Sequence, residues 1–504
     1  MTHRHRPTRV LIIGYGAIGT AALPLLLDRL PVPAGRVTVV DRVDRRRALR
    51  AFLERGLRFE RLTVTKENHG ALLRERLGPG DLLIDLASFI DTLALVAWCQ
   101  GRGVLFLNSS IERWPGEEGL SYRPEDGLLY PRLWRFRRWM IRHGRSDGPT
   151  AVIDHGANPG LVSHFVKQGL EQIAEAALGR SAAARRRHAA ARDALGARAW
   201  GRLAEALGVR VIQISELDTQ EAASSRPGGE FQSTWSAATM YEEALTLSEL
   251  CWGTHETRVP AGASTFEDGP GHMICLPGSG IDTWVASWSP GGRFPGMLIG
   301  HDEAYTIGEQ LTVKEGDRVR YRPTVYFAYQ PCRPTLDSLC ECVQTGGILQ
   351  PRVRVLTDAL VSGCDQLGCL LMGHPQRSWW IGSLLSVNEA RALAGPEVNA
   401  TTLQVAAALA AGLQWLLANP TAGPRLPENL PHEEILPAAR RYLGPCLSRP
   451  VDWGPRRGRG DGRDSWRFQD FRTGDSLCTV TNLPPTRRRP RDPILPVDLE
   501  DAMA

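Results

Sequence analysis

A short apolar strand that breaks into a glycine-spaced turn constrains this chain more than any other feature. Arg9-Val10-Leu11-Ile12-Ile13 runs into Gly14-Tyr15-Gly16-Ala17-Ile18-Gly19, and an apolar segment of helical character follows from Thr20 to Leu30. Each glycine has a distinct task. Gly14 permits the tight turn out of the strand. Gly16 lacks the Cβ that would keep a pyrophosphate off the backbone. Gly19 lets the helix pack closely on the strand, whose first turn, at Ala17 and Ile18, aims N–H groups at the phosphates. Val37-Thr38-Val39-Val40-Asp41 then reads as a second buried strand with an acid at its carboxyl end. Asp41 sits where a carboxylate accepts hydrogen bonds from an adenosine ribose, which favours NAD because a 2′-phosphate there would be repelled. Arg42, Arg45, Arg46 and Arg47 follow directly and keep NADP open.

The pattern continues. Leu62-Thr63-Val64 reads as a weak strand, Asp81 to Leu86 as a strong one, Val104 to Asn108 as the next and Ala151 to Asp154 as another, with a helix from Leu93 to Gln100. Continuous apolar strands alternating with helices predict a parallel sheet covered on both faces, an α/β Rossmann-type dinucleotide-binding domain over residues 1–157. Ligands of such sheets bind beyond the carboxyl ends of the strands. That rule singles out Ser88, Asn108 and Ser109 for the cofactor, and the loop from His155 to Asn158.

Residues 158–389 change character. Val211 to Ser215, Trp284 to Trp288 and Arg320 to Tyr326 alternate or are aromatic-rich, and predict a second, α+β domain with a mixed sheet. Residues 171–207 read as an alanine- and arginine-rich helix with a charged solvent face, or as a helical insertion. Thr401 to Asn419 is a long apolar helix that needs a large buried partner. Residues 421–504 read as a C-terminal extension, Pro-, Gly- and Arg-rich and partly disordered after 448.

Bulk properties exclude more than they identify. The net charge is +5, yet lysine occurs only at positions 66, 167 and 314, so arginine carries the positive charge. No aromatic platform interleaves the arginines, and nucleic-acid binding is not expected. No signal peptide is visible, and no stretch reads as long and apolar enough to span a membrane. The ten cysteines are scattered without paired C-x-x-C spacing, which predicts free thiols, a reducing cytoplasm and no metal site. The protein is expected to assemble as a homodimer.

Four segments of the second domain concentrate acids, aromatics and histidine. They are Ser215 to Gln220, Thr234 to Glu243, Cys251 to Glu256, and Gly300 to Glu303. Acids beside tryptophans suit an organic cation, because a ring face attracts an ammonium group and carboxylates fix its ends.

These residues carry a family resemblance. Asn158-Pro159-Gly160-Leu161-Val162-Ser163, Ser215 to Gln220, Thr234-Trp235-Ser236, Trp252-Gly253-Thr254-His255-Glu256, Tyr321-Arg322-Pro323-Thr324 and Asn399-Ala400-Thr401 resemble the bacterial homospermidine synthases, relatives of the saccharopine dehydrogenases, over about residues 8 to 445. The resemblance implies NAD as a bound, unconsumed cofactor, putrescine and related diamines as substrates, and redox-neutral aminobutyl transfer. It also implies that a late helical segment, residues 390–420, returns to close the first domain. It implies that Trp235 holds a cationic intermediate by cation–π contact. Glu216 and Glu243 match carboxylates that grip amino groups and assist proton transfer. Asn158 and His301 match further polar groups of the pocket, and Glu112 an acid near the nicotinamide. One departure stands out. The family has an acid just after the fourth strand, where this chain reads Ala87-Ser88-Phe89-Ile90-Asp91. Asp91 either replaces it by a shift of register, or the contact is lost. Two other readings stay open: a saccharopine- or carboxynorspermidine-type dehydrogenase with net cofactor turnover, and a catalytically silent nucleotide-binding protein.

Overall fold

A computed structural model describes residues 5–114, 128–179, 183, 186, 188–266, 269, 272–455 and 465–473. Strands β1 (Val10–Ile13), β2 (Val37–Asp41), β3 (Arg58–Arg61), β4 (Leu82–Asp85), β5 (Leu105–Asn108) and β6 (Ala151–Val152) are joined by Pro424–Arg425 in one seven-stranded sheet. Every pairing is parallel, and the order from one edge is Pro424–Arg425, β6, β5, β4, β1, β2, β3. The chain direction reverses its winding between β1 and β4, which opens a crevice at their carboxyl ends, the place where doubly wound sheets bind ligands. β1, β4 and β5 are buried along their whole length. The expected weak strand at 62–64 lies three to four residues earlier, at Arg58–Arg61, where its pairing partner β2 sets the register.

The second sheet has ten strands and mixed direction. Its central strand β7 (Val211–Asp218) runs parallel to Thr324–Gln330 and antiparallel to Cys364–His374. Side-chain alternation sorts these strands between two cores. Ile212, Ile214, Val325, Phe327, Tyr329, Leu367 and Cys369 face the helices Leu161–Leu178 and Asp302–Gln310. Val211, Tyr326, Ala328, Leu370 and Met372 face the opposite way into a separate apolar cluster. Period-2 alternation therefore carries Glu216 and Asp218 onto the helix-covered face.

The Ala400–Ala418 helix packs on the first domain, against the Ala17–Arg29 helix, β5 and β6, and also touches the second sheet. Its length and a mean hydropathy of 1.4 are those of a membrane-crossing segment, which corrects the sequence expectation that no stretch is long and apolar enough. The physical reason for that composition is burial in protein, since 89% of the window is enclosed by the fold. Asn399 caps it, accepting from the Thr402 N–H at 2.8 Å.

Residues beyond 420 are woven into both sheets. Pro424–Arg425 pairs with β6, and Cys446–Val451 pairs antiparallel with Arg377–Ser386. Val451, Trp453, Trp466, Phe468 and Phe471 then cover the outer apolar face of the second sheet, so this part of the expected extension is core rather than appendage. The arginine runs at 456–460 and 487–490 lie outside the described residues. The alanine–arginine region resolves into helices Leu161–Leu178, Ala189–Gly196 and Trp200–Leu207. Among the described residues eight cysteines are free thiols, but Cys340 is disulfide-bonded, which corrects the expectation of free thiols throughout.

Candidate functional site

The crevice at the carboxyl ends of β1, β2 and β4 is a cavity of about 620 Å³. Gly14, Gly16, Ala17, Ile18, Asp41 and Ser88 line it, with Arg42 and Arg45 at the rim of the Asp41 wall. Gly14 adopts φ +91°, and a Cβ there would sit 2.8 Å from the backbone of Leu86 and Ala87. A Cβ on Gly16 would meet nothing within 4 Å, so that glycine leaves open space at the mouth of the helix. Gly19 is buried beneath, where a Cβ would stand 3.0 Å from the Gly14 carbonyl oxygen. No acidic side chain occupies the first turn of the Ala17–Arg29 helix, so its N–H groups face the cavity uncompensated. Asp41 is fixed at the wall: its carboxylate accepts from the Tyr15 N–H at 2.6 Å and the Val43 N–H at 2.8 Å. These features fit a dinucleotide.

Two other predicted cofactor residues are placed elsewhere. Asn108 is buried and braces the sheet, its Oδ1 accepting from the Asp154 N–H at 2.8 Å and its Nδ2 donating to the Ser110 carbonyl at 2.6 Å. Ser109 packs beside Gly156 and does not line the cavity.

A cluster of largely buried acids lies beside this cavity. Ser236, Ala237 and Ala238 line the cofactor side, and the helix they begin, Ala237–Leu245, carries Glu243 two turns on. Glu112 accepts from the Phe89 N–H at 3.3 Å, and Phe89 itself lines the cavity. One end of the cluster belongs to β7. Asn158 Nδ2 donates to Glu216 Oε2 at 3.2 Å. Asp365, in the neighbouring strand, lies in register with Asp218, two residues along from Glu216. Burial first, then Asp365 and Asp218, hold the Glu216 carboxyl well above its usual range. Burial likewise lifts Asp218 to about 6.

The other end is built on His301. Its Nδ1 donates to Glu303 Oε2 at 2.6 Å, and its Nε2 lies 3.8 Å from Glu243 Oε2. Burial alone would lower the imidazole, but Glu303 and then Glu243 override it and raise it to about 9. Burial pushes Glu243 up to about 8 against the opposing pull of His301. Glu112 is raised by burial and partly restored by Arg132. Trp235 stands on the loop between Glu230–Ser233 and the Ala237–Leu245 helix, half-buried at the edge of the core.

Three of the four acid-and-aromatic segments meet here; the fourth does not. His255 Nε2 contacts the Trp466 carbonyl at 2.7 Å, and Glu256 Oε1 accepts from the Phe468 N–H at 3.0 Å. Trp252 packs on the Phe468 ring. This segment anchors residues 465–473 to the outer face of the second sheet. Asp91 is also committed. It caps the Thr92–Arg102 helix through the Ala94 N–H at 2.7 Å and pairs with Arg135 at 2.7 Å, so no register shift brings it to the pocket. Sequence reasoning missed Asp365, Asp154 and Glu428. The sequence carried no signal for them: Asp365 becomes legible only once its strand partner is known, and Glu428 only once its turn is placed against the helix Asp302–Gln310.

The chain is similar to known proteins over most of its length. The saccharopine dehydrogenase NADP-binding domain family matches residues 10–137, and the saccharopine dehydrogenase C-terminal domain family matches residues 156–444. The homospermidine synthase of Blastochloris viridis is 35% identical over 480 residues, covering 92% of this chain and 97% of that one. That of Mesorhizobium japonicum is 35% identical over 478 residues, covering 92% and 96%. The crystal structure of the homospermidine synthase from Legionella pneumophila in complex with NAD superimposes with a TM-score of 0.81 at 33% identity, covering 92% of this chain and 98% of that one.

Proposed function

Since the chain belongs to the homospermidine synthase family of saccharopine dehydrogenase relatives, we propose that it joins two putrescines into homospermidine and ammonia with NAD as a bound cofactor. The observation that carries this reading is the cluster of buried acids that adjoins the dinucleotide cavity through Phe89 and Glu112 and through the helix beginning at Ala237. A carboxylate-bearing substrate would need clustered cations there, and the cluster offers Glu216, Asp365, Glu243 and Glu303 instead. When bound, NAD⁺ supplies a hydride acceptor that returns the same hydride at the end of the cycle.

The chain's own residues grip, orient and move protons. Gly14, Gly16, the helix start at Ala17 and Ile18, Asp41 and Ser88 would hold the dinucleotide. Glu216, oriented by Asn158 and flanked by Asp365, takes one amino group of the donor diamine. Glu243 and His301 face the reacting end, with Glu112 on the cofactor side. Trp235 presents its ring to the cationic imine that forms when the donor carbon is oxidised. The acceptor amine, once neutral, attacks that carbon, and ammonia leaves. His301, held charged by Glu303, donates a proton to the departing nitrogen through Nε2, and Glu243 accepts one from the incoming amine. In this reading the substrates are diamines of the putrescine type, and the protein works in the cytoplasm as a homodimer.

Incubation with putrescine and substoichiometric NAD⁺ tests the proposal. The expected result is homospermidine by mass and no lasting rise in NADH absorbance. NADH accumulating in step with putrescine consumption would replace the synthase with a dehydrogenase. Asp41 gives a second expectation: NAD binds at least about tenfold more tightly than NADP, a difference of about 1.4 kcal/mol. Equal or tighter NADP binding in a fluorescence titration would show that Arg42 and Arg45 set the preference.

A further inference from the structure

The start of the long helix Ala400–Ala418 is tied to two parts of the site that no strand ladder joins. Asn399 is buried and donates through Nδ2 to two carbonyls, Thr234 at 2.6 Å and Leu356 at 2.7 Å. Thr234 immediately precedes Trp235. Leu356 follows the strand Arg352–Val355, whose last three residues line the dinucleotide cavity. The Thr401 hydroxyl donates to Asp365 Oδ2 at 2.6 Å and accepts from Gln220 Nε2 at 3.0 Å. Gln220 turns back on Asp218: its backbone N–H and its Nε2 both donate to Oδ1, at 2.9 and 3.1 Å. Its Oε1 accepts from the Ala400 N–H at 3.0 Å. The Thr234 hydroxyl closes the ring by donating to the other Asp218 oxygen at 2.7 Å. All of these polar side chains are buried. A buried network with its members paired is rigid, because breaking any one bond strands a polar group away from water.

The proposed reaction gives this ring a geometric task. Glu216 stands on β7, in the ten-stranded sheet. Trp235 leaves from Glu230–Ser233, which pairs only with Arg352–Val355 in a separate two-stranded sheet. The sheets therefore do not set the distance between the carboxylate that takes an amino group and the ring that faces the reacting carbon. The helix start does. Strand register puts Asp365 opposite Asp218 and on the same face as Glu216, so the Thr401 bond holds the strand ends beside Glu216. The Asn399 bond holds the loop of Trp235. Both anchors sit in one helical turn, and the rest of that helix is packed on the dinucleotide domain. A pocket of fixed width discriminates one methylene by about 10–200-fold.

We infer that the helix start Asn399-Ala400-Thr401 is the gauge that sets which length of diamine the site accepts. The inference rests on the synthase reading. Asn399 and Thr401 are positioning residues: Thr401 acts on Glu216 through Asp365, and Asn399 acts on Trp235 through Thr234. Gln220 and Asp218 link the two arms, so a change at either arm is felt at the other. With the ring intact, the span from Glu216 to Trp235 fits a four-carbon chain. With an arm cut, the Trp235 loop and the end of β7 shift independently, and a longer chain is admitted.

The test offers putrescine and its three- and five-carbon homologues to the wild type, Thr401→Val, Thr401→Ser and Asn399→Ser. Valine keeps the volume of Thr401 and loses its hydroxyl, whereas serine keeps the hydroxyl. Serine at 399 keeps a capping oxygen for the helix and loses both donated bonds. In the wild type, kcat/KM should favour putrescine over either homologue by about tenfold or more. In Thr401→Val and Asn399→Ser the preference over the five-carbon diamine should shrink to about threefold or less, mainly through the KM for putrescine, with NAD affinity within about twofold. Thr401→Ser should keep the wild-type preference. A wild type without length preference overturns the inference. So does an unchanged preference in Thr401→Val and Asn399→Ser, whether activity is retained or falls in step with melting temperature, which is a structural role. Should both fail to fold, an unchanged preference in Gln220→Met, which cuts the ring from the strand side, overturns it equally. If the wild type makes no homospermidine, the synthase reading falls. Calorimetric binding of the three diamines to NAD-loaded wild type and Thr401→Val then judges the gauge, and no binding or unchanged relative affinities overturn it.

Discussion

Glu243→Gln is expected to lose about a hundredfold or more in kcat while becoming more stable, with the stability gain growing as pH rises. The activity loss follows from removing the group placed to accept the incoming amine's proton, a role worth about 10²–10⁴-fold in general acid–base catalysis. The stability gain follows from linkage. Burial raises Glu243 from 4.5 to about 8 in the folded protein. Between those values the folded state binds more protons than the unfolded one, so the wild type loses stability as pH rises through that window. Glutamine has no proton to lose and escapes the penalty. The melting-temperature difference should therefore be small near pH 5, grow to pH 8 and level off above it, on the order of 1–3 kcal/mol given the compensating charge of His301. Parallel scans of both proteins from pH 5 to 9 check this. A Gln variant that is less stable at every pH would mean that the His301 contact outweighs burial. Unchanged turnover would remove Glu243 from the chemistry. The same reasoning puts the activity of the wild type on a rising limb above neutral pH, where amines begin to lose their protons.

Trp235 gives the second large effect. A cation–π contact is worth about 0.5–2 kcal/mol depending on desolvation, about two- to thirtyfold in rate. Trp235→Phe should retain part of the activity, since Phe keeps a weaker quadrupole. Trp235→Ala should lose much more, because it removes both the ring face and the wall that excludes water. Trp235→Glu should not rescue, because a flexible carboxylate lacks the ring's shape and can trap the cation. Trp235 is half-buried at the edge of the core, unlike Trp284 or Trp380, which are enclosed. The three variants are therefore expected to remain folded, and turnover and melting temperature should be read on the same samples. Full activity in a stable Trp235→Ala would exclude the ring from catalysis. Activity lost only in step with unfolding would make it a packing residue.

The first domain was legible from residue order because its determinants are local. Turn glycines, a β-branched strand and an acid at a strand end act within about 35 residues, and Gly14, Gly16 and Asp41 stand in the structure where that grammar put them. The likeness of Asn158, Glu216, Trp235, Glu243 and His301 to a known family was equally present in the bare sequence. The burial of the Ala400–Ala418 helix could be anticipated from its composition, since so apolar a segment must be covered by something, and its place against the first domain from the family resemblance. What the linear chain could not show was which partner each polar residue had found. Asp91 and Glu256 look like pocket acids, yet one caps a helix and pairs with Arg135, and the other holds the C-terminal segment on the far face of the sheet. Asp365 looks like an isolated acid, yet strand register sets it beside Asp218 and within the field of Glu216. Strand alternation assigns a face only once the neighbouring strands are known, and a carboxylate's role depends on what lies within a few ångströms of it across hundreds of residues. Local pattern therefore determined the elements and the chemistry available. Only the packing of β7, the Asp302–Gln310 helix and the Pro427–Asn429 turn decided which of those acids are buried together.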